Sequence, residues 1–154
     1  MDTHLAYQIF FPSFWLDKAD QPLFQLLVHP ATDLALPLPS FGEIEIPGLS
    51  RDYLDSCRTM YCGGTHFTDP LISPLYAARH DGLAQAIVLT AGEDPLRDDG
   101  EVYAAVLARA GVETLVSRLP GLPHGFLFLP ITIPAVSSAF DLIARLVRRY
   151  FAAA

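Results

Sequence analysis

The chain has 154 residues, of which 51% are hydrophobic and 18% charged, with a formal net charge of −7 and a mean hydropathy of +0.32. That length suits one domain, and with no Lys/Arg stripe to neutralise phosphates, a nucleic-acid backbone is excluded as partner. Apolar content above the roughly 45–50% and charge below the roughly 25% usual for soluble domains imply a surface normally covered by something else.

Residues 1–20 are aromatic around Phe10, Phe11, Phe14 and Trp15, with a turn signal at residues 17–20. Pro12 argues against one uninterrupted helix there, so this segment is set apart from a domain over residues 21–154. Asp2 ahead of the apolar patch and the lack of a basic region argue against a signal peptide. No apolar run approaches the ~20 residues needed to span a bilayer. Cys57 and Cys62 lack the C-x-x-C spacing of redox or zinc sites. The expectation is a cytoplasmic protein with reduced thiols.

Residues 23–28 form a short apolar run stopped by Pro30, which reads as a buried strand. The prolines and Gly42 in residues 31–47 predict an extended loop with a possible short strand at 43–46. Ser50 is placed to cap a helix over 51–61, where Tyr53, Leu54, Cys57 and Met60/Tyr61 recur at helical spacing, and Gly63-Gly64 stops it. Residues 65–83 read as loop with short turns. A second strand is predicted at 86–91, a helix at 100–110 with Val102, Tyr103, Val106, Leu107 and Ala110 facing inward, and a third strand at 114–119. A last helix over 135–151 aligns Val136, Phe140, Ile143, Val147 and Tyr150/Phe151; Arg145, Arg148 and Arg149 lie in its final turns, where cations complement the helix dipole. Strands alternating with helices imply an α/β fold with about three parallel strands.

Two loops follow strands in this scheme. The second strand runs into Gly92-Glu93-Asp94-Pro95-Leu96-Arg97-Asp98-Asp99-Gly100, and the third into Pro123-His124-Gly125-Phe126. The carboxyl ends of strands are where open α/β sheets place their chemistry. An Asp and a His there could meet, the carboxylate fixing the tautomer of the imidazole. On residue pattern alone, Asp94 reads more readily as a turn aspartate before proline and His124 as a solvated loop residue.

The run Ser73-Pro74-Leu75, the stretch from Ile87 to Ala104, Ala110-Gly111-Val112 and His124-Gly125-Phe126 resemble the carboxyl-terminal part of the hormone-sensitive-lipase-like esterases, a branch of the α/β-hydrolases. Residues 26–33 resemble the strand that follows the nucleophile elbow in that family, so the likeness covers about residues 21–129. The resemblance implies an incomplete α/β-hydrolase fold, with Asp94 as the acid of a catalytic triad and His124 as its base. It implies no cofactor and no metal, and a small-molecule ester as substrate of a complete enzyme. The family's Gly-x-Ser-x-Gly elbow and His-Gly-Gly-Gly-type oxyanion loop are both absent from this sequence.

No serine here supplies the elbow. Ser40 has Leu38 two residues ahead, Ser50 has Asp52 two residues behind and is better explained as a helix cap, and Ser73 sits at a family position with a structural look. Neither cysteine lies in a convincing nucleophile turn. His4, His29, His66 and His80 lack ligand spacing. Glu93, Asp98, Asp99 and Glu101 are expected to serve the helix amino terminus and to pair with Arg97. The expectation is the back half of a serine esterase that is inactive in isolation, to be completed by its missing amino-terminal half or by a second copy. Two alternatives are a non-catalytic module that pairs through its first strand and a truncated gene product.

Overall fold

In a computed structural model, residues 22–35 and 38–152 can be described; the separate reading of residues 1–20 lies outside them. The fold is organised by the least polar stretch of the chain. Ala86, Ile87, Val88, Leu89, Thr90 and Ala91 are all completely buried. A strand buried on both faces shows a continuous apolar run rather than alternation, and that is the pattern of the middle of a parallel sheet. This strand, β2 (Ala86–Glu93), lies between β1 (Gln25–Val28) and β3 (Thr114–Pro123), and both pairings are parallel.

Alternation along β2 divides the core. Ile87, Leu89 and Ala91 point to one face, where Leu119, Leu122, Phe126, Val136, Ala139 and Tyr150 complete a cluster under the last helix, α4 (Pro134–Ala152). Ala86 and Val88 point to the other, where Leu27 joins Tyr103, Ala104 and Leu107 of α3 (Arg97–Arg109) and Val112 beyond it. Two shorter helices precede β2: α1 (Pro39–Glu43) and α2 (Arg51–Cys62). Ser50 caps α2 as its sequence implies, its hydroxyl accepting the Tyr53 N–H at 3.3 Å, and Gly63 ends the helix at φ 55°.

The departures from expectation that bear on the site lie at the end of β3, the start of α3 and residues 43–46. The third strand does not end at Leu119 but continues to Pro123, because Pro120 and Gly121 form a bulge. Ala91 pairs with Leu119 and Glu93 with Pro123, so β3 absorbs two extra residues at that point. Proline is tolerated at such irregularities because no ladder donor is required of it, and Gly121 takes up the turn at φ 71°. A Cβ on the facing Gly92 would sit 3.0 Å from the Pro120 Cα, so the close approach demands glycine there as well.

Helix α3 begins at Arg97, three residues before the predicted start at Gly100. Gly100 is a point of contact inside the helix, not an entry. A Cβ on it would lie 2.8 Å from the Thr90 Cγ2 and 3.2 Å from Pro30, so its absence lets α3 settle on the sheet.

The short strand expected at residues 43–46 does not form. Pro39 opens α1 instead, consistent with proline's preset φ at a first helical position. Of the later residues, only Ile46 makes an isolated bridge, to Leu49. Among the described residues no neighbouring strand accepts the alternating Glu43-Ile44-Glu45-Ile46 pattern.

Candidate active site

Each β-strand is followed at once by a residue whose side chain carries a functional group at the same rim. Asp94 follows β2 and is fully buried. Its Oδ1 accepts the Leu96 N–H at 2.8 Å, closing the tight turn into α3, while its Oδ2 lies 2.9 Å from Nδ1 of His124. His124, immediately after β3, keeps 26% of its side chain exposed. Against an ionised carboxylate, which only accepts, Nδ1 would donate its proton and Nε2 would keep a lone pair. The bulge at Pro120-Gly121 places His124 beside Asp94, since it lengthens β3 to reach the end of β2.

The turn that holds Asp94 is braced from outside. Ser40 of α1 is completely buried; its hydroxyl donates to the Pro95 carbonyl at 2.8 Å and accepts the Asp98 N–H at 3.1 Å. Its own N–H donates to Asp98 Oδ2 at 2.9 Å. Burial by itself would raise the Asp98 carboxyl, but the Ser40 N–H and the Arg97 guanidinium outweigh it and hold it low. Ser73 is likewise buried, accepting the Leu34 N–H at 2.8 Å. Ser40, Ser50 and Ser73 thus all have structural duties.

The acidic cluster divides. Asp98 pairs with Arg97 as anticipated, at 2.9 Å. Glu101 does not: it accepts two bonds from Arg118 of β3, at 2.7 and 2.6 Å, and one from Thr90 at 3.0 Å. Arg118 therefore holds that carboxyl below its ordinary range, despite partial burial. Asp99 is buried, accepts a long bond of 3.4 Å from the Asp33 N–H, and has the Asp33 side chain for a neighbour. Burial first, and then the charge of Asp33, push its pKa up to about 8.

A family model described as alpha/beta hydrolase fold matches residues 6–128. The chain belongs to the α/β-hydrolase fold family. It is 39% identical over 129 residues to carboxylesterase NlhH of Mycobacterium tuberculosis, a match that covers 80% of this chain and 40% of that protein. Among solved structures, ester-hydrolase EH1AB1 from the metagenome of Lake Arreo superposes with a TM-score of 0.76 at 37% identity, covering 85% of this chain and 42% of that one. Carboxyl esterase 2 of the fungus Tuber melanosporum also superposes at a TM-score of 0.76, with 28% identity over 80% of this chain and 43% of that one. The chain thus spans between 21% and 40% of the length of the curated relatives it matches. Partial coverage of this kind fits the reading of these residues as the carboxyl-terminal part of a hormone-sensitive-lipase-like hydrolase.

Within this hydrolase chain, sequence reading missed His29. It follows β1 as Asp94 follows β2 and His124 follows β3, and that shared position was the signal available. Its ring lies 4.4 Å from the His124 ring and 5.5 Å from that of Phe126, centroid to centroid. Its backbone has φ 41°, unusual for a residue with a Cβ and further restricted by the following Pro30. Such a conformation costs about 1–3 kcal/mol and is a mark of functional regions. His80, by contrast, is a buried fixture whose Nε2 sits 3.0 Å from the Pro74 carbonyl.

Beside the rim, a cavity of about 330 Å³ opens between α1, α2 and the start of α3. Leu34, Phe41, Leu54, Met60 and Leu96 give it apolar walls, and Asp99 lies among its lining residues. Leu96 is two residues beyond Asp94 and Ala31 two beyond His29, so the cavity adjoins both loops. Among the described residues no group of three or more His, Cys, Asp or Glu side chains is arranged to hold a metal ion, and no helix is long and apolar enough to cross a membrane.

Proposed function

We propose that this chain supplies the acid and the base of a carboxylic-ester hydrolase, with His124 as general base and Asp94 as the carboxylate behind it. The observation that supports this most strongly is the 2.9 Å bond between a fully buried Asp94 and a solvent-accessible His124 in an α/β-hydrolase chain. In an assembled enzyme, Nε2 of His124 takes the proton of a serine as its oxygen attacks the ester carbonyl. Asp94 stabilises the resulting imidazolium, and backbone amides from the completing half hold the tetrahedral oxyanion. The imidazolium then returns the proton to the leaving alcohol. The apolar cavity along Leu34, Phe41, Leu54 and Met60 suits the hydrocarbon part of a small-molecule ester.

Neither the elbow nor the oxyanion loop is encoded in this sequence, so the pure chain is expected to hydrolyse a short acyl p-nitrophenyl ester no faster than buffer. Turnover by the pure chain that disappears in His124→Ala would overturn the expectation of inactivity. A second reading is favoured by the outer edge of β1, which has no strand partner among the described residues. Such an edge, with its unpaired backbone groups, is a template for another strand. It makes the chain a pairing module, completed by a missing half or a second copy. A monodisperse monomer by size-exclusion light scattering would count against self-pairing.

A further inference from the structure

We propose that His29 is a positioning residue for His124: its ring is the wall that keeps the His124 imidazole turned toward Asp94. The inference rests on the reading of Asp94 and His124 as acid and base, and deepens it by adding a third side chain. One hydrogen bond from Nδ1 to Asp94 Oδ2, at 2.9 Å, fixes one atom of the His124 ring but leaves the ring able to swing about it. A second ring 4.4 Å away, tilted by 54°, removes much of that freedom. Phe126 meets His29 edge-on, at 5.5 Å and 80°, and so supports the wall from another side.

The backbone is turned to make this contact. After Val28 the chain leaves the extended conformation for φ 41° at His29, while the His29 N–H still donates to the Leu89 carbonyl at 2.7 Å. The side chain is thus carried out of the alternation of β1 but anchored to β2, the strand that delivers Asp94.

The wall also has to be uncharged when its neighbour takes a proton. A cation this close would oppose the imidazolium that His124 forms. Burial first and His124 second push the His29 pKa down to about 4, against the opposing pull of Asp94. His124 after β3 and Asp94 after β2 are the ionisable groups that act on it, and Phe126 brings no charge. The His29 Nε2 is buried with no hydrogen-bond partner among the described residues, a setting that would leave an imidazolium unsolvated.

The test is an NMR study of the full 154-residue chain with isotope-labelled histidine. In the unsubstituted chain, the Nδ1 proton of His124 should resonate at low field, as expected of a proton held between imidazole and carboxylate. The His29 ring signals should stay constant from about pH 8 to about pH 5, where an ordinary imidazole would titrate. His29→Ala should abolish the low-field resonance through exchange with water, and His29→Phe, which restores a flat ring, should recover it. Amide signals of Ile87 and Leu89 report whether the sheet is intact in each variant.

A low-field resonance that survives unchanged in His29→Ala would overturn the role given to His29. So would its loss in His29→Phe with the sheet amides unmoved, or titration of His29 together with His124. Absence of the resonance from the unsubstituted chain would overturn the Asp94–His124 pairing itself, and the role of His29 with it.

Discussion

Asp94 and Asp99 lie five residues apart, and both are buried, at 0% and 3% exposure, yet they have opposite chemistry. Asp94 meets an imidazole at 2.9 Å and a backbone N–H at 2.8 Å. Asp99 meets the Asp33 N–H at a long 3.4 Å, the Thr32 backbone and another carboxyl group, and burial drives its pKa up to about 8. Burial alone neutralises a carboxyl group, because its charged form loses hydration. Two donors at hydrogen-bond distance face Asp94, where Asp99 has a second carboxyl group for a neighbour. The same stretch of chain therefore holds a carboxyl group paired with an imidazole at the rim of the sheet and, beside the apolar cavity, one that is mostly neutral at neutral pH.

The largest effect that would break this contrast is on stability against pH. A carboxyl group whose folded pKa lies above its unfolded value of about 3.9 binds more protons when folded, so stability falls as pH rises between the two. For Asp99 that window runs from about pH 4 to about pH 8, and the loss across it is on the order of 5 kcal/mol. Chemical denaturation of Asp99→Asn at several pH values should show the parent's decline above about pH 6.5 removed and stability rising with pH below it, and a decline that persists would show that Asp99 ionises normally.

His29 acts in the reverse sense. Its folded pKa of about 4 lies below the unfolded value near 6.5, so stability is lost as pH falls through that interval, by on the order of 3 kcal/mol. The two slopes oppose each other between about pH 4 and 6.5, so the parent chain should be nearly level there and weaken above. In His29→Phe the decline should begin near pH 4 instead. A level region retained by this variant would contradict the neutral, buried state assigned to His29.

A smaller change is expected at the brace. Ser40→Ala removes the hydroxyl that links the Pro95 carbonyl to the Asp98 N–H, leaving two polar groups without it. The expected loss is about 1–2 kcal/mol by urea denaturation. It should appear without any change in the pH slopes set by Asp99 and His29.

The central strand and both large helices were legible in the sequence because their apolar residues recur with unambiguous period and length. Ala86 to Ala91 could only be a strand buried on both faces, and Val136, Phe140 and Ile143 could only share one helix stripe. The end of β3 was not legible. Pro120-Gly121 carries the same local signal in a strand-ending turn as in a bulge, and the pairing of Glu93 with Pro123 distinguishes them only in three dimensions. Gly100 misled for the same reason: a glycine required by close packing against Thr90 and Pro30 reads as a helix boundary.

At the candidate site, Asp94 and His124 stood out by their positions after strands and by resemblance. His29 holds the same position after β1, but its value lies in a ring contact with His124, remote from it in the sequence, which no local spacing of histidines signals. The pairing of Glu101 with Arg118 joins α3 to β3 across 17 positions of sequence, beyond any local rule for charges.

The most direct measurement is the tautomer of His124 in the unprotonated state, read from the nitrogen chemical shifts of its ring. A proton on Nδ1, facing Asp94, and a bare Nε2 able to accept one are expected, with the reverse tautomer in Asp94→Asn. A proton on Nε2 in the unsubstituted chain would contradict this, since an imidazole in that form has no lone pair at the nitrogen that a base would use.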